Sequence, residues 1–154
     1  MFLENYRFEK DDYYISTDKT LLDFEVIHGY LKRSYWSENI PLEIVKNAAK
    51  HSVTFGIYTQ QNTQVGYCRV VTDQSSFAYL ADVFVLEEHR GLGLSKFLME
   101  CIMGIPEFKN LRTWLLATND AHGLYRQFGF DAPKFPEKIM QISRPDLYKN
   151  MGNS

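Results

Sequence analysis

The chain has 154 residues, with 17 Lys+Arg against 19 Asp+Glu and a formal net charge of −2. The two signs are interspersed, so no basic cluster offers the footprint that a phosphodiester backbone requires, and nucleic acid is excluded as an expected partner. No apolar run approaches the roughly 20 residues that span a bilayer, and the acidic, aromatic start does not read as a secretory leader.

The expected setting is therefore the cytoplasm, with no membrane partner, and the length fits one domain over residues 1–154. Cys68 and Cys101 fall in a strand pattern and on a helix face, where buried free thiols are the expectation. The 4 histidines lack ligand spacing to one another or to the cysteines, and no metal is expected.

In chain order, residues 13–17 read as a short strand ending at the capping signal Ser16, Thr17, Asp18. Leu21, Leu22, Phe24, Val26, Ile27, Tyr30 and Leu31 then give a helix with a broad apolar face. Residues 34–40 break it, and Pro41 opens a second helix, to about residue 50, as its first helical residue. Residues 53–58 and 65–72 are β-rich runs joined by a turn at 60–63, and a second turn at 73–76 leads into a long strand over 77–86.

Glycines at 91 and 93 follow, and the apolar period then becomes helical, with Leu94, Phe97, Leu98, Cys101, Ile102 and Ile105 on one face. That helix should stop near Gly104 and Pro106. Residues 113–117 read as a short apolar strand buried within a sheet. Asp120 is expected to cap the next helix, and Gly129 to end it in a left-handed turn. Pro133 and Pro136 bracket a loop, residues 138–143 read as a last strand, and the polar tail after Pro145 should be loose. The predicted order is β-α-α-β-β-β-α-β-α-β: an antiparallel meander, then a helical crossover to a parallel strand, in a mixed α/β sheet.

The stretch Arg90-Gly91-Leu92-Gly93-Leu94-Ser95 sits where the long strand turns into a helix. Backbone N–H groups at such a start have no intrahelical partner, and with the helix dipole they form an anion site suited to phosphate. Gly91 and Gly93 allow close approach to the backbone. The stretch is neither a P-loop, because no Gly-Lys-Ser/Thr follows, nor a dinucleotide fingerprint, because the third glycine is missing.

It resembles the acyl-CoA loop of the GNAT N-acetyltransferase superfamily, Arg/Gln-x-x-Gly-x-Gly/Ala, with Ser95 in the last place. Downstream, Asn119 followed by Leu124-Tyr125-Arg126-Gln127-Phe128-Gly129-Phe130 is similar to the superfamily's second motif, with Gln127 where Lys is usual. The resemblance implies an acyl-CoA N-acyltransferase fold in which two parallel strands splay around acetyl-CoA as co-substrate. It places the diphosphate on the backbone amides of Arg90, Gly91, Leu92, Gly93, Leu94, Ser95 and Lys96. It also places pantetheine along Val83, Phe84 and Val85, with Asn119 as a further contact. Tyr125 matches the tyrosine that gives a proton to the CoA sulfur.

In diamine acetyltransferases the long strand reads Tyr-Leu-Glu-Asp, whereas here it is Tyr79-Leu80-Ala81-Asp82. Ala81 removes that glutamate, leaving Asp82 to act as base through water or to attract a cationic amine. With the hairpin turn centred on Ser75-Ser76, Asp82 is alternatively a cross-strand ion-pair partner of Arg69. His122 is another candidate base. The acceptor pocket should come from residues 30–40, with Tyr30, Tyr35 and Trp36 as aromatic walls, from the far side of strand 77–86, and from the loop 131–136. Three readings follow: transfer of acetyl to a small-molecule amine, transfer to a protein amino group, or a non-catalytic acyl-CoA sensor. The residues do not decide the oligomeric state, and a homodimer stays open.

Overall fold

The computed structural model describes residues 4–151; the first three residues of the acidic, aromatic start and the last three of the tail lie outside the described residues. A six-stranded mixed sheet runs in the order β1 (Arg7–Lys10), β2 (Tyr13–Ser16), β3 (Val53–Thr59), β4 (Gln64–Thr72), β5 (Phe77–Val85), β6 (Thr113–Leu115). All neighbours are antiparallel except β5 and β6, which are parallel. Helices α1 (Phe24–Leu31) and α2 (Leu42–Lys50) precede β3; α3 (Leu94–Met103) makes the crossover and α4 (His122–Arg126) follows β6.

The predicted mixed sheet with its meander and helical crossover is therefore the observed architecture. One strand, β1, was not expected: Arg-Phe-Glu-Lys gives only four residues with half-exposed alternation, too weak to read without its partner β2.

The sheet is covered on both faces, so β3 is buried except at its last residue and β4 is buried over its first five. On one side Leu94, Leu98, Met99 and Ile102 of α3 and Tyr125 of α4 pack against Ile15, Phe55, Cys68 and Val85. On the other, Ile27 and Leu31 of α1 and Val45 of α2 pack on Tyr67 and Phe84. Leu98 is fully buried at the centre of the first layer. Leu98→Ala is expected to cost about 3–5 kcal/mol, from lost transfer energy plus a cavity, measured by denaturant midpoint at unchanged slope. Cys68 and Cys101 are both buried free thiols. Burial pushes Cys68 up and Cys101 to about 12, so neither presents a thiolate.

Local chemistry sets the element ends. Asp73 accepts from the N–H groups of Ser75, Ser76 and Phe77 and from the Ser76 hydroxyl, tying the β4–β5 turn; those bonds hold its carboxyl well below the usual range. Lys19 reaches the carbonyls of Ala49 and Ser52 and so places a cation at the end of α2. Pro41 is the N-cap of α2 and not its first helical residue, a shift of one position. Past α4, Phe130 N–H donates to the Tyr125 carbonyl at 3.2 Å and Gly129 N–H to that of Arg126 at 3.1 Å. This is a Schellman closure, with Gly129 at φ 95 as expected.

Four local expectations are corrected. Asp120 does not cap α4: the Thr118 hydroxyl accepts from Ala121 N–H at 3.1 Å, and the N-cap is Ala121. Residues 113–117 are not a buried interior strand, because only Thr113–Leu115 pair and they form the sheet's edge, partly exposed. Residues 138–143 form no strand; they follow a 3-10 turn, Pro136–Lys138, and are exposed. Nor is the tail wholly loose, since Tyr148 in the turn Leu147–Asn150 packs against the α1–α2 cluster. Each error has one source: a short apolar or polar run does not state which neighbour it meets.

Candidate active site

Strand β5 pairs with β6 only over Phe77–Tyr79 against Thr113–Leu115. Beyond that point the two strands part, and the gap opens into a cleft of about 840 Å³. Val83, Phe84 and Val85 line one side of it, with Leu116, Asn119 and Tyr125 on the other. The expected splay is thus present.

Its cause lies partly within β5. The β4–β5 register jumps between Arg69, opposite Ala81, and Tyr67, opposite Phe84. Asp82 and Val83 therefore share the place opposite Cys68, a β-bulge with Asp82 at φ 58. The extra residue bends the strand and re-aims its side chains. The bulge also delivers the ion pair: Arg69 Nε meets Asp82 Oδ2 at 2.6 Å, and Trp36 Nε1 donates to Asp82 Oδ1 at 3.0 Å. Strictly opposite Arg69 stands Ala81, one residue off the register read from the turn. Both Asp82 oxygens are thus engaged, and its side chain is 9% exposed. It anchors the Trp36 wall and makes the cross-strand ion pair expected as the alternative to a catalytic role.

The β5–α3 connection carries the anion site. Leu86 leads through the 3-10 turn Glu87–His89 to Arg90, and Gly93 caps α3 at φ 77 without a side-chain bond. Gly91 has φ 79. Among the described residues, the N–H groups of Gly91, Leu92, Gly93, Leu94, Ser95 and Lys96 donate to no protein acceptor, whereas Phe97 N–H bonds the Gly93 carbonyl at 3.0 Å. A Cβ built at Gly91 meets nothing within 4 Å, and one at Gly93 meets only Lys10 Nζ at 3.7 Å. The space over the loop is open for a ligand. Donors bunched at the start of a ten-residue helix with room above them fit a diphosphate.

Three side chains outside the motif hold this loop. Tyr13 hydroxyl and His89 Nδ1 are 2.8 Å apart. Arg90 does not reach outward: Nε donates to the Val85 carbonyl at 2.9 Å and Nη2 to the Tyr30 hydroxyl at 2.8 Å. Arg33 pairs with Glu87 at 2.7 Å, and that bond lowers the Glu87 carboxyl's proton affinity. Lys10, on the unpredicted β1, adds a cation beside Gly93. No sequence signal marks it, because its approach depends on β1 joining the sheet.

Tyr125 is 8% exposed and lines the cleft from α4. Burial, with smaller contributions from Cys68, Tyr35 and Asp120, pushes its phenol up to about 12. Asn119 is exposed at the cleft rim, where its N–H donates to the Tyr35 hydroxyl at 3.3 Å. Tyr30, Tyr35 and Trp36 form aromatic walls as expected, Tyr30 stacking on Phe84 at 4.1 Å. Tyr35 and Trp36 are 61% and 38% exposed, so their faces are open to a ligand.

Two expectations fail. His122 and the loop residues 131–133 face a separate groove of about 350 Å³ outside β6 and not the main cleft. The reason is the shortness of α4: His122 and Tyr125 are neighbours on it, but the edge strand divides the space they border.

The comparisons with known proteins decide the family. The profile described as "Acetyltransferase (GNAT) domain" matches residues 50–132, more than half of the chain. The chain belongs to the GNAT acetyltransferase family. A Porphyra purpurea protein named "Uncharacterized N-acetyltransferase ycf52" is 30% identical over 134 residues, covering 80% of this chain and 73% of that one. A crystal structure of a GNAT-family protein from Xanthomonas campestris pv. campestris is 45% identical with a TM-score of 0.88, covering 92% of this chain and 100% of that one. A GNAT acetyltransferase from Elizabethkingia anophelis, solved with acetyl-CoA bound, shares the fold at a TM-score of 0.61 and 13% identity, over 86% of this chain and 88% of that one. The GNAT chain described here is thus an acetyltransferase by family. Among its described residues no helix is long and apolar enough to cross a membrane, and no group of three or more His, Cys, Asp or Glu is placed to hold a metal ion.

Proposed function

We propose that this GNAT enzyme transfers the acetyl group of acetyl-CoA to a primary amine of a small-molecule acceptor. The observation that carries the reading is one continuous cleft. It runs from Arg90 and Ser95, in the loop that carries the open donors, past the parted β5 and β6, to a buried phenol at Tyr125 and exposed aromatic walls at Tyr35 and Trp36.

The backbone amides of Gly91, Leu92, Gly93, Leu94, Ser95 and Lys96 hold the diphosphate, with Lys10 adding positive charge, whereas the expected Arg90 amide already donates to the Glu87 carbonyl at 3.3 Å. Val83, Phe84, Val85 and Asn119 orient the pantetheine. When bound, acetyl-CoA supplies the activated acyl thioester. Orientation by fixed backbone dipoles is worth more here than in water, because the cleft is walled by aromatic and aliphatic side chains. Tyr125 keeps a proton at Oη, directed at the departing sulfur.

A small acceptor is favoured over a protein amino group by charge. An acidic groove would suit a basic peptide, but Arg69 already pairs Asp82, and Arg33 and Arg90 line the same cleft. With Asp82 engaged, the amine loses its proton to water rather than to a carboxylate of the wall. An alkylamine with a pKa near 10.4 is about 0.04% free at pH 7, and that fraction rises roughly tenfold per pH unit. The kcat/KM for such an acceptor is therefore expected to climb about tenfold per unit from pH 7 to pH 9.

The test is release of free CoA thiol from acetyl-CoA against a panel of polyamines, aminoglycosides, amino acids and peptides, with the pH series run on the best acceptor. A flat profile would point to a base inside the protein. No acceptor accelerating release, with CoA still bound, would favour a sensor without chemistry.

A further inference from the structure

Strand β5 has two faces of different character. Ala78 and Leu80 are buried in the cluster with α3, whereas Phe77 and Tyr79, which alternate with them, are 39% and 37% exposed. On β4, Val70 is buried in that same cluster, and Val71, directly opposite Tyr79, is 39% exposed. Helices α1 and α2 cover this second face only further along, over Tyr67 and Phe84. Phe77, Tyr79 and Val71 thus form one uncovered apolar shelf, and Ala81, next in the row after Tyr79, adds no charge to it. Apolar groups exposed side by side mark a binding surface, unlike the same groups scattered singly.

The shelf is continuous with the cleft. Tyr79 and Ala81 line the cleft, as do Tyr35 and Trp36. Trp36 is held at its indole nitrogen by Asp82, the bulge residue after Ala81, and meets Tyr35 edge-on at 5.1 Å. At about 3.3 Å per strand residue, the row from Phe77 to Ala81 runs roughly 13 Å, enough for an aromatic ring and a short alkyl chain.

Charge points the same way. Among the residues lining the cleft, Arg33, Arg69 and Arg90 stand against Asp82 and Asp120. Both oxygens of Asp82 are taken by Arg69 and Trp36, and Asp120 follows Asn119 on the opposite side of the cleft. The shelf therefore offers no free carboxylate to a second ammonium, and a polyamine lying along it would set its distal charge against apolar side chains.

Resting on the acetyl-transfer reading above, we propose that the acceptor is a primary monoamine on an apolar body, arylalkyl or alkyl. Its ring or chain lies on Phe77, Val71 and Tyr79 while its nitrogen reaches the thioester carbon past Trp36. The nitrogen–carbon bond forms as the carbon–sulfur bond breaks, and the electron pair of the broken bond leaves on sulfur. The proton that the nitrogen gives up balances the one that the sulfur takes.

The test is kcat/KM for CoA release with propylamine, pentylamine, heptylamine, 2-phenylethylamine and 1,5-diaminopentane. Each added methylene should raise kcat/KM about two- to fourfold, from part or all of its removal from water. Pentylamine and 2-phenylethylamine should each exceed the diamine by at least about tenfold. Val71→Ser with Tyr79→Ser should cut the heptylamine-to-propylamine ratio at least about fivefold, with the circular dichroism spectrum and the CoA dissociation constant retained. Tyr79→Thr, which keeps a strand-forming residue at the site, should act in the same direction and guards against loss of the fold. A series without slope, or a diamine that matches pentylamine, would overturn the proposal while leaving acetyl transfer to an amine standing. So would a slope indifferent to the variants, or a double-mass species that only the variants lose, which would give the shelf to a second copy of the chain. CoA release that no amine accelerates would sink the acetyl-transfer reading itself, and the proposal with it.

Discussion

Tyr125→Phe is expected to lower kcat by about 100- to 10,000-fold, the span typical for removal of a positioned proton donor. The dissociation constant for CoA should change less than about twofold, because the diphosphate donors are backbone groups of another element. The ring stays in place, in its edge-on contact with Phe130 at 6.0 Å, so the melting temperature should hold. Burial places the phenol at about 12, and this fixes the sign of the pH dependence. The active form is the protonated one, it is fully populated below about pH 11, and Tyr125 should give no descending limb in the usual assay range. A phenol at about 12 is a weaker acid than a thiol near 8.5 by roughly 3–4 units. Hydrogen-bond donation to the sulfur as the C–S bond opens is accordingly the larger part of its contribution, and full proton transfer the smaller. Steady-state kinetics on the best acceptor, paired with calorimetric CoA titration, separates the two. Turnover above half of wild type would remove Tyr125 from the chemistry.

Gly93→Val should abolish tight CoA binding, raising the dissociation constant at least about tenfold, which is 1.4 kcal/mol. A β-branched residue at φ 77 is an outlier, and a left-handed L-residue costs roughly 1–2 kcal/mol before branching is counted. Because a Cβ there meets only Lys10 Nζ at 3.7 Å, overpacking of the protein is not the cause. The loss comes from backbone strain that turns the donors of Leu94 and Ser95 away, and from a side chain in the space a phosphate needs. The melting temperature should fall by about 4–8 °C for roughly 2 kcal/mol in a chain of this size. A folded Gly93→Val protein with unchanged CoA affinity would place the diphosphate elsewhere.

These two residues were legible before any fold was known, and the reason is local. Gly91 and Gly93 announce positive φ because other residues resist it, and the change of apolar period from two to 3.6 marks where strand becomes helix. Tyr125 was singled out by the resemblance of residues 119–130 to the superfamily's second motif, while the helix end behind it is local, since the Schellman bonds at Gly129 depend on residues 125–130 alone. The Arg69–Asp82 pair was named from a turn centred on Ser75-Ser76, but the ladder runs one residue off that register and the bulge delivers the contact.

The bulge was not legible. Whether Asp82 and Val83 jointly face Cys68 depends on packing over both faces of the sheet, and only that shift brings Asp82 into reach of Trp36. Lys10 beside Gly93 needed β1 to join the edge, a decision made by β2. The side of β6 on which His122 falls, and the failure of residues 138–143 to find a strand, belong to the same class. Sequence periodicity states that a face will be buried; which surface buries it is settled by contacts between residues far apart in the chain. What the sequence by itself determined here is the glycine turn that opens α3, the phenol-bearing helix and the order of the sheet. The tertiary structure alone decided which charged groups are already spoken for in the cleft, and which strand edge is left open.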